Sequence, residues 1–384
     1  MKIVVSAGEV SGDIHGSYLI SEIKKINPDI SFLGMGGEGL NAIGVEILFD
    51  ISSKGSIGLV EALPNVVSIY ATFLKMKRLL VDERPDVLLL VDSQGFNVPL
   101  ASFAKKIGIK TIYYIPPHEW LWGTEKNLKN IADKIDLIVS IFEREHNAYK
   151  KVGGNSIYFG HPLLDIVKPE LLKEEAQNKF NPEKKKMVTL CPGSRRQEIE
   201  NIFPILVKSA EIIKEALPET LFYILASSDW AKEKIADQIK NSKIKDFQIA
   251  QSQRYDVLNI SDLAIAASGT INLETSILGT PNLMVYTLNP LTYFIAKNIL
   301  KINRKMKFFS MPNILVDAEI VPEFAQKRAN PHLIAHKAVE ILTHQEGGNP
   351  YSRLLDNETL LKTLGKPPVI SKIAEEIVRF IQKN

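Results

Sequence analysis

The chain contains one cysteine, Cys191, among 384 residues. A single thiol excludes an intramolecular disulfide framework and a metal site built from several cysteines, and it fits a reducing cytosol. The sequence also lacks a run of about 18 apolar residues, which a membrane-spanning helix needs. The stretch MKIVVSAGEVSGD at the amino terminus has no long apolar segment typical of an export signal. These absences predict a cytoplasmic protein without a membrane span.

An excess of charge of one sign is also missing. The net charge is +3, from 47 basic and 44 acidic side chains, which is too small to predict nucleic-acid binding by itself. The sequence has no HExxH spacing, no GxSxG nucleophile turn and no set of protein-kinase motifs. We therefore expect no bound metal, no cofactor and no nucleic-acid partner.

What is present is a repeated alternation of apolar, β-rich runs with segments of helical period. Both halves show it, which predicts an α/β fold of two Rossmann-like domains facing a central cleft. We expect an amino-terminal domain at 1–165, a second domain at 166–349 and a helical segment at 350–384 that crosses back to the first. A glycine-rich, irregular interval, Gly34–Leu63, interrupts the first half. The predicted strands are Lys2–Val5, Ile30–Leu33, Val87–Val91, Lys110–Ile115, Leu137–Ser140, Ser156–Phe159, Met187–Leu190, Leu221–Ala226, Phe247–Ala250, Leu263–Ala266 and Asn282–Tyr286.

The loop Ser6–Gly16, SAGEVSGDIHG, follows the first predicted strand and opens a helix. Backbone N–H groups at such a junction bind phosphate in many α/β proteins, and Gly8 and Gly12 allow a close backbone approach. The spacing matches neither GxGxxG nor a Walker loop. The alternative is a plain βα turn in which Asp13 caps a helix.

Asp92 ends the apolar run DVLLLV, which is typical of a buried parallel strand. Ligand groups collect at the carboxyl ends of such strands, so Asp92 is a candidate general base. The alternative is that it caps a helix beginning near Pro99. In the later loop PPHEWLWG, His118 is a candidate polar group of the site, and aromatic packing is the alternative interpretation.

Three features of the second half suit a nucleotide. The turn Pro192–Arg195 offers backbone donors and a guanidinium suited to phosphate, and Ser268–Thr270 opens a helix. Glu274, one turn into that helix, is placed to accept ribose hydroxyls. Taken singly, these residues read as helix caps and a surface glutamate. Together they predict a diphosphate and ribose site.

Two stretches combine basic and apolar residues. Tyr293–Asn313 contains five lysines and arginines and no acidic residue, which favours an anionic membrane surface. A solvated basic helix is the alternative. The last helical pattern carries charges of both signs, so it predicts a helix packed on a domain more than one lying on a membrane. Its apolar positions are Ile370, Ile373, Ile377, Val378 and Ile381.

Eight blocks, in order along nearly the whole chain, resemble the lipid A disaccharide synthase family of inverting glycosyltransferases with the GT-B fold. The blocks are AGEVSGDIHG (Ala7–Gly16), GLVEALPNV (Gly58–Val66), VDSQGFN (Val91–Asn97), YYIPPHEWLW (Tyr113–Trp122), FGHPLLD, PGSRRQEIE, ASGTINLE and MPNIL.

The resemblance implies transfer of 2,3-diacylglucosamine from UDP to 2,3-diacylglucosamine 1-phosphate, giving a β-1,6-linked disaccharide and UDP. It implies that Asp92 is the base and that Arg195 balances charge on the departing UDP, and we add Glu9 as a catalytic candidate. Ser6–Gly16 then becomes the acceptor side of the site, where Glu9 and Asp13 face sugar hydroxyls or hold the loop. The expected substrate-binding residues are Gly8, Ser11, Gly12, Asp13, Asn97, His118, Gly193, Ser194, Ser268, Gly269, Thr270, Glu274 and Asn313.

The resemblance also implies peripheral contact with the inner face of the cytoplasmic membrane through Tyr293–Phe309, and it leaves homo-oligomerisation open. Departures from the family pattern lie on the acceptor side, at Gly95, His118, Glu119 and Gly123. They put the exact acceptor in doubt. A UDP-sugar epimerase of the same architecture, a glycosyltransferase with another lipid acceptor and a non-catalytic nucleotide-sugar binder remain alternatives.

Overall fold

A computed structural model of the chain describes residues 1–50, 66–287, 307–343 and 357–383. The contacts between Cα atoms divide the chain into two compact units. Unit 1 comprises Met1–Ile166 and Leu364–Asn384, and unit 2 comprises Val167–Thr363.

Unit 1 is built on a parallel sheet of seven strands in the order β3-β2-β1-β4-β5-β6-β7. Its strands are β1 Lys2–Ala7, β2 Ser31–Gly36, β3 Glu46–Asp50, β4 Val87–Val91, β5 Lys110–Tyr114, β6 Leu137–Val139 and β7 Ser156–Ile157. Its helices up to Ile166 are α1 Val10–Ile26, α2 Glu38–Ala42, α3 Val66–Glu83, α4 Gln94–Lys106, α5 Glu119–Trp122, α6 Glu125–Ala132, α7 Glu143–Lys151 and α8 Leu163–Ile166.

Unit 2 repeats this plan with a parallel sheet of six strands in the order β10-β9-β8-β11-β12-β13. Its strands are β8 Met187–Cys191, β9 Leu221–Leu225, β10 Gln248–Ala250, β11 Leu263–Ala267, β12 Asn282–Tyr286 and β13 Glu323–Ala325. The remaining helices are α9 Lys173–Phe180, α10 Arg196–Asn201, α11 Phe203–Ala216, α12 Asp229–Ile239, α13 Arg254–Ile260, α14 Thr270–Leu278, α15 Met311–Val316, α16 Pro331–Thr343, α17 Asn357–Leu364 and α18 Ile370–Lys383.

The predicted fold class, α/β with two Rossmann-like units, is therefore confirmed. The continuous apolar runs become the central strands because a parallel sheet is covered on both faces by its crossover helices. Each residue of β4 and of β8, for example, is buried. No helix in the described parts of the chain combines the length and the apolar character needed to span a bilayer.

Three local predictions were wrong. The interval Gly34–Leu63 was expected to be irregular, yet α2 and β3 lie within its described part. The short strand β13 was missed, since three residues give almost no periodic signal. The helix expected near Pro99 begins at Gln94, with Ser93 as its N-cap. Proline is common at the first helical position, whereas here Pro99 lies in the second turn of α4.

The closing helix α18 packs against α1. The five apolar residues predicted for its inner face are all buried: Ile370, Ile373, Ile377, Val378 and Ile381. Its apolar stripe is thus part of the core of unit 1, and the alternative of a helix lying on a membrane surface is wrong. The expected membrane-contacting segment Tyr293–Phe309 lies outside the described residues except for its last three, Lys307, Phe308 and Phe309.

Candidate active site

The candidate residues cluster at the point in each sheet where the strand order reverses. In unit 1 the neighbours β1 and β4 lead into the loops at Gly8 and Asp92, and in unit 2 β8 and β11 lead into the loops at Gly193 and Ser268. Helices leave such neighbouring strands toward opposite faces of the sheet, so a crevice opens at their carboxyl ends. Each unit therefore has one crevice lined by residues that the sequence selected.

Asp92 lies directly at the end of β4 with its side chain half-buried. Its backbone and that of Ser93 are left-handed, with φ of 53° and 51°, which costs about 1–3 kcal/mol per residue and persists only where the surroundings enforce it. Tyr113 Oη and Asn97 Nδ2 enforce it by donating to the Asp92 carbonyl at 2.7 and 2.8 Å. The carboxylate accepts the Ser93 N–H at 2.8 Å and the Ser11 hydroxyl at 3.1 Å. Asp92 is thus held in one orientation.

The opening loop packs closely against this end of β4. A Cβ at Gly12 would lie 3.2 Å from the Val91 carbonyl oxygen, and one at Gly8 would lie 2.7 Å from Ser93 Oγ. The glycines therefore serve close approach of α1 to the Asp92 loop. Glu9 is half-buried at the residue before α1.

Tyr113 is fully buried, and its hydroxyl contacts the backbone of Asp92. Burial raises the pKa of the Tyr113 hydroxyl well above its usual range, and the negative charges of Asp92 and Glu9 add to the effect. The hydroxyl therefore keeps its proton and remains the donor that supports the Asp92 backbone.

Two residues predicted to bind substrate have their polar atoms engaged within the protein. The buried carboxylate of Asp13 accepts the backbone N–H groups of Gly37, Gly39 and Leu40 at 2.7, 2.8 and 3.1 Å, and so caps the amino terminus of α2. Asn97 is fully buried. Its Oδ1 accepts Ser6 Oγ at 2.6 Å, and its Nδ2 donates to the carbonyls of Ser6, Val91 and Asp92. Both residues hold the loops together, and the structure gives them no substrate-facing group.

His118 is placed by a buried carboxylate that the sequence argument missed. Its Nδ1 lies 2.9 Å from Glu145 Oε1, and the second Glu145 oxygen accepts the Ile141 N–H at 3.0 Å. Burial alone would lower the pKa of His118, but the hydrogen bond and charge of Glu145, joined by the charge of Asp92, raise it. Nothing in the spacing of EREHNAYKK along α7 distinguishes Glu145, because the pairing is made by the fold.

The departures from the family pattern also contact one another. Glu119 is buried and accepts Gln94 Nε2 at 2.6 Å and Asn127 Nδ2 at 3.3 Å. A Cβ at Gly123 would lie 1.9 Å from Glu119 Oε2. The glycine and the glutamate therefore depend on each other, and Gln94 ties them to the loop that carries Asp92. Gly95, by contrast, has open space around it.

In unit 2 the PGSR loop already contains an internal anion. Glu198 accepts the backbone N–H groups of Ser194 and Arg195 at 2.9 and 3.1 Å. A Cβ at Gly193, where φ is 102°, would lie 2.2 Å from Glu198 Oε2. The sequence predicted that these backbone N–H groups are available to bind phosphate. That prediction is wrong for Ser194 and Arg195, because both N–H groups donate to Glu198. The side chain of Arg195 is half-exposed, and its Nη1 lies 4.0 Å from Glu198 Oε1. Glu198, placed three residues after Arg195 in the first turn of α10, was the signal that could have revealed this.

The SGT loop opens a helix, as the sequence predicted. Gly269 has φ 154° and ψ −165°, a region open essentially to glycine alone, and α14 begins at the next residue without a side-chain cap. Gly269 and Thr270 are exposed, and the Ser268 N–H donates to the Val285 carbonyl at 3.0 Å. The buried Asn272, which was missed, braces the turn by donating to the Ala267 carbonyl at 2.8 Å. The first turn of α14 therefore offers backbone donors and a partial positive charge.

Glu274 is a buried carboxylate one turn into α14. Burial raises its pKa, although Arg254 and Tyr255 act in the opposite direction. Arg254 Nη2 lies 3.6 Å from Oε2, and that oxygen accepts no hydrogen bond from the described residues. A buried acceptor in this condition suits a ligand that brings hydroxyl donors. Arg254 was not selected from the sequence.

Asn313 does not face a ligand. It is fully buried, its Oδ1 accepts the N–H groups of Ile320 and Val321, and its Nδ2 donates to the Val321 carbonyl and to Glu323. Its role is to fix the segment before β13. Among the described residues, no three His, Cys, Asp or Glu side chains are arranged to hold a metal ion.

Comparisons with solved structures identify the same fold. The chain superposes on the UDP-GlcNAc 2-epimerase from Neisseria meningitidis bound to UDP-GlcNAc with a TM-score of 0.63, at 15% identity and over 100% of both chains. It superposes on MurG from Acinetobacter baumannii with a TM-score of 0.55, at 14% identity, over 100% of this chain and 99% of that one. These likenesses establish two Rossmann-like domains of the GT-B type.

Sequence comparison is more specific. The family model for lipid-A-disaccharide synthetase matches residues 3–366. The lipid-A-disaccharide synthase of Geobacter metallireducens is 35% identical over 87% of this chain and 86% of its own. That of Persephonella marina is 36% identical over 98% of both chains, and that of Gloeothece citriformis is 33% identical over 99% of this chain and 100% of its own. These matches show that the chain belongs to the lipid-A-disaccharide synthase family of glycosyltransferases in lipid A biosynthesis.

Proposed function

We propose that the protein joins UDP-2,3-diacylglucosamine to 2,3-diacylglucosamine 1-phosphate with inversion at the anomeric carbon. The products are the β-1,6-linked disaccharide 1-phosphate and UDP. The observation that carries the proposal is the fixed, half-buried carboxylate of Asp92 at the crevice of unit 1, with one oxygen held by Ser93 and the other by Ser11.

Asp92 acts as the general base. It takes the proton of the acceptor 6-hydroxyl while the oxygen attacks the anomeric carbon from the face opposite to UDP. Bond formation on one face and departure on the other invert the configuration. A positioned base of this kind contributes roughly 10²–10⁴-fold to a rate.

Unit 2 binds the nucleotide part of the donor. The guanidinium of Arg195 and the first turn of α14, at Thr270, face the charge that grows on the leaving diphosphate. Glu274 accepts the ribose hydroxyls with the oxygen that the described residues leave without a hydrogen bond. Glu9, the residue before α1, contacts the sugar. No bound cofactor enters the reaction.

Because both substrates carry acyl chains, we also propose that the protein works at the inner face of the cytoplasmic membrane. The basic and apolar composition of 293–309 supports contact with anionic lipid. A flotation assay with vesicles containing anionic lipid tests this, with neutral vesicles as the control.

The central test is an assay of UDP release and of lipid product with and without the acceptor. Disaccharide and UDP should appear only when the acceptor is present, and the anomeric coupling in the NMR spectrum should report the β linkage. Appearance of an epimerised UDP-sugar, or no turnover when both donor and acceptor are present, would contradict the proposal. Asp92→Asn should abolish transfer and leave UDP binding intact. Asp86→Asn, at the opposite end of β4, is the matched control and should stay active.

A further inference from the structure

The His118–Glu145 pair is a carboxylate-oriented imidazole in the loop after β5, the strand that pairs with β4. Gln94, two residues after Asp92, ties the two loops together by donating its Nε2 to Glu119, the neighbour of His118, at 2.6 Å. Glu145 is fully buried, while the side chain of His118 is 27% exposed. Glu145 Oε1 lies 2.9 Å from Nδ1 and fixes the proton on that nitrogen. The other ring nitrogen, Nε2, has no hydrogen-bond partner among the described residues. His118 therefore keeps one nitrogen available for exchange of a proton.

The charged and titratable groups that act on this ring come from three parts of unit 1. They are Glu145 on α7, Asp92 after β4 and the buried His161. The carboxylate of the adjacent Glu119 instead accepts hydrogen bonds from Gln94 and Asn127. Burial, with the charges of His15 and His118, lowers the pKa of His161 well below its usual range, so His161 is neutral. The remaining neighbours are carboxylates. The surroundings therefore favour a proton on His118 and disfavour a second anion, such as the phosphate of a substrate.

We propose that His118, oriented by Glu145, receives the proton that Asp92 removes from the acceptor and passes it to water. The inference rests on the proposed function of Asp92 as the base. It assigns to Glu145 a positioning role, since that carboxylate acts on the substrate only through the imidazole.

The steps balance without any further reactant. The acceptor O–H bond breaks and its proton moves to the Asp92 carboxylate. The acceptor oxygen bonds to the anomeric carbon, and the bond from that carbon to the diphosphate oxygen breaks, with its electron pair leaving on UDP. The proton on Asp92 then moves to Nε2 of His118, directly or through one water, and imidazolium releases it to solvent. Asp92 and His118 return to their starting states.

Such a relay has a physical advantage for a carboxylate base. An unperturbed imidazole is roughly 2–3 pH units more basic than an unperturbed aspartate, so transfer to His118 frees Asp92 for the next turnover. Glu145 stabilises the imidazolium once it forms, as a buried carboxylate does beside other catalytic histidines.

The first test measures the pH dependence of kcat with saturating donor and acceptor. His118→Gln should lower kcat about 10²-fold, leave the affinity for UDP unchanged and remove one ionisation from the acid limb of the profile. His118→Ala should regain activity when imidazole is added. Controls are Glu143→Gln and His146→Asn on the same helix, where His146 Nδ1 pairs with Ser156 Oγ at 3.0 Å and not with His118. An unchanged kcat and profile for His118→Gln, or no rescue by imidazole, would overturn the proposal.

The second test does not depend on activity. In the wild-type protein with labelled histidine, the NMR signal of His118 should titrate above about pH 6.5, the unperturbed value. Both Glu145→Gln and Asp92→Asn should lower that pKa, because each removes a negative charge facing the ring. Titration at or below the unperturbed value, or no response to Asp92→Asn, would show that no relay links the two residues. If the protein proves to have no transferase activity while these shifts occur, the proposed function fails and the coupling stands.

Discussion

The hydroxyl of Ser11 donates to Oδ2 of Asp92 at 3.1 Å, across 81 positions of the sequence. This contact joins the first turn of α1 to the end of β4, the two elements whose loops form the crevice of unit 1. It gives the opening loop a defined purpose, which is to orient the candidate base.

Ser11→Ala should therefore slow transfer without weakening nucleotide binding. Loss of one hydrogen bond to a charged group at an exposed position should lower kcat about three- to tenfold. The Kd for UDP and the melting temperature should stay at the wild-type values. Ser17→Ala, farther along α1, is the matched control. A change in UDP affinity equal to the change in kcat would contradict this role.

Asn97→Ala should destabilise unit 1. The substitution leaves Ser6 Oγ and three carbonyl groups without their buried partner, which should lower the free energy of unfolding by about 2–3 kcal/mol. Thermal unfolding followed by circular dichroism measures the loss. Asn41→Ala, at an exposed position of α2, should have little effect. Full stability of Asn97→Ala together with lost substrate binding would restore the original interpretation of Asn97 as a binding residue.

Gly269→Ala should weaken UDP binding through the backbone alone. A Cβ at this position meets nothing within 4 Å, so the effect comes from φ 154°, which alanine does not adopt at low cost. We expect the Kd for UDP, measured by calorimetry, to rise about tenfold, or about 1.4 kcal/mol. Gly95→Ala is the control, because a Cβ at Gly95 also meets nothing within 4 Å and the residue lies in a helix that alanine tolerates. This variant should bind UDP with the affinity of the wild type. Equal behaviour of the two variants would contradict a phosphate site at α14.

Glu274→Gln should also weaken UDP binding while leaving the fold intact. The amide keeps the size of the carboxylate but accepts hydroxyl donors less strongly, so a rise of about tenfold in Kd is expected. Uracil, which lacks the ribose, should bind to Glu274→Gln with the same affinity as to the wild type. Glu200→Gln, whose side chain is exposed on α10, is the control. An unchanged Kd for UDP would exclude Glu274 from the ribose site.

His161 should make the protein sensitive to acid. Burial, with the charges of His15 and His118, lowers the pKa of His161 in the folded state, so the unfolded chain binds the additional proton. The contribution of His161 to the free energy of unfolding is therefore complete above about pH 6.5. Below that pH the free energy of unfolding falls by up to about 1.4 kcal/mol per pH unit.

His161→Asn keeps an acceptor for the Leu163 N–H but cannot be protonated. Its melting temperature should be lower than that of the wild type at pH 7.5, and the difference should narrow between pH 6.5 and pH 5. The pKa of His118 shifts upward, so its effect on stability with pH is opposite to that of His161. Because His118 is present in both the wild type and His161→Asn, the difference in melting temperature between these two proteins reports His161. His332→Asn, at an exposed site, is the control. A constant difference across this range would show that His161 is not the acid-sensitive group.

Much of the fold could be read from the chain because parallel strands buried on both faces are continuous apolar runs. β4, β5 and β12 begin where the sequence predicted. The predictions that failed concern short strands and the start of α4. Proline prefers the first turn of a helix, but α4 begins earlier, after the left-handed backbone of Ser93. Asp92 and the SGT turn were selected as candidates because each directly follows a strong strand, and Arg195 because its loop follows β8.

The sequence by itself determined the alternation of strands and helices, the loops at the carboxyl ends of the strands and the membership of a family. Only the tertiary structure decided which polar side chains are free to meet a ligand. Asp13, Asn97 and Asn313 have polar atoms suited to binding, yet backbone groups of the protein use them. Glu145 shows the reverse, since it acquires a partner 27 residues away. A buried polar group must find a hydrogen-bond partner, and the fold alone fixes whether that partner is the chain or a substrate.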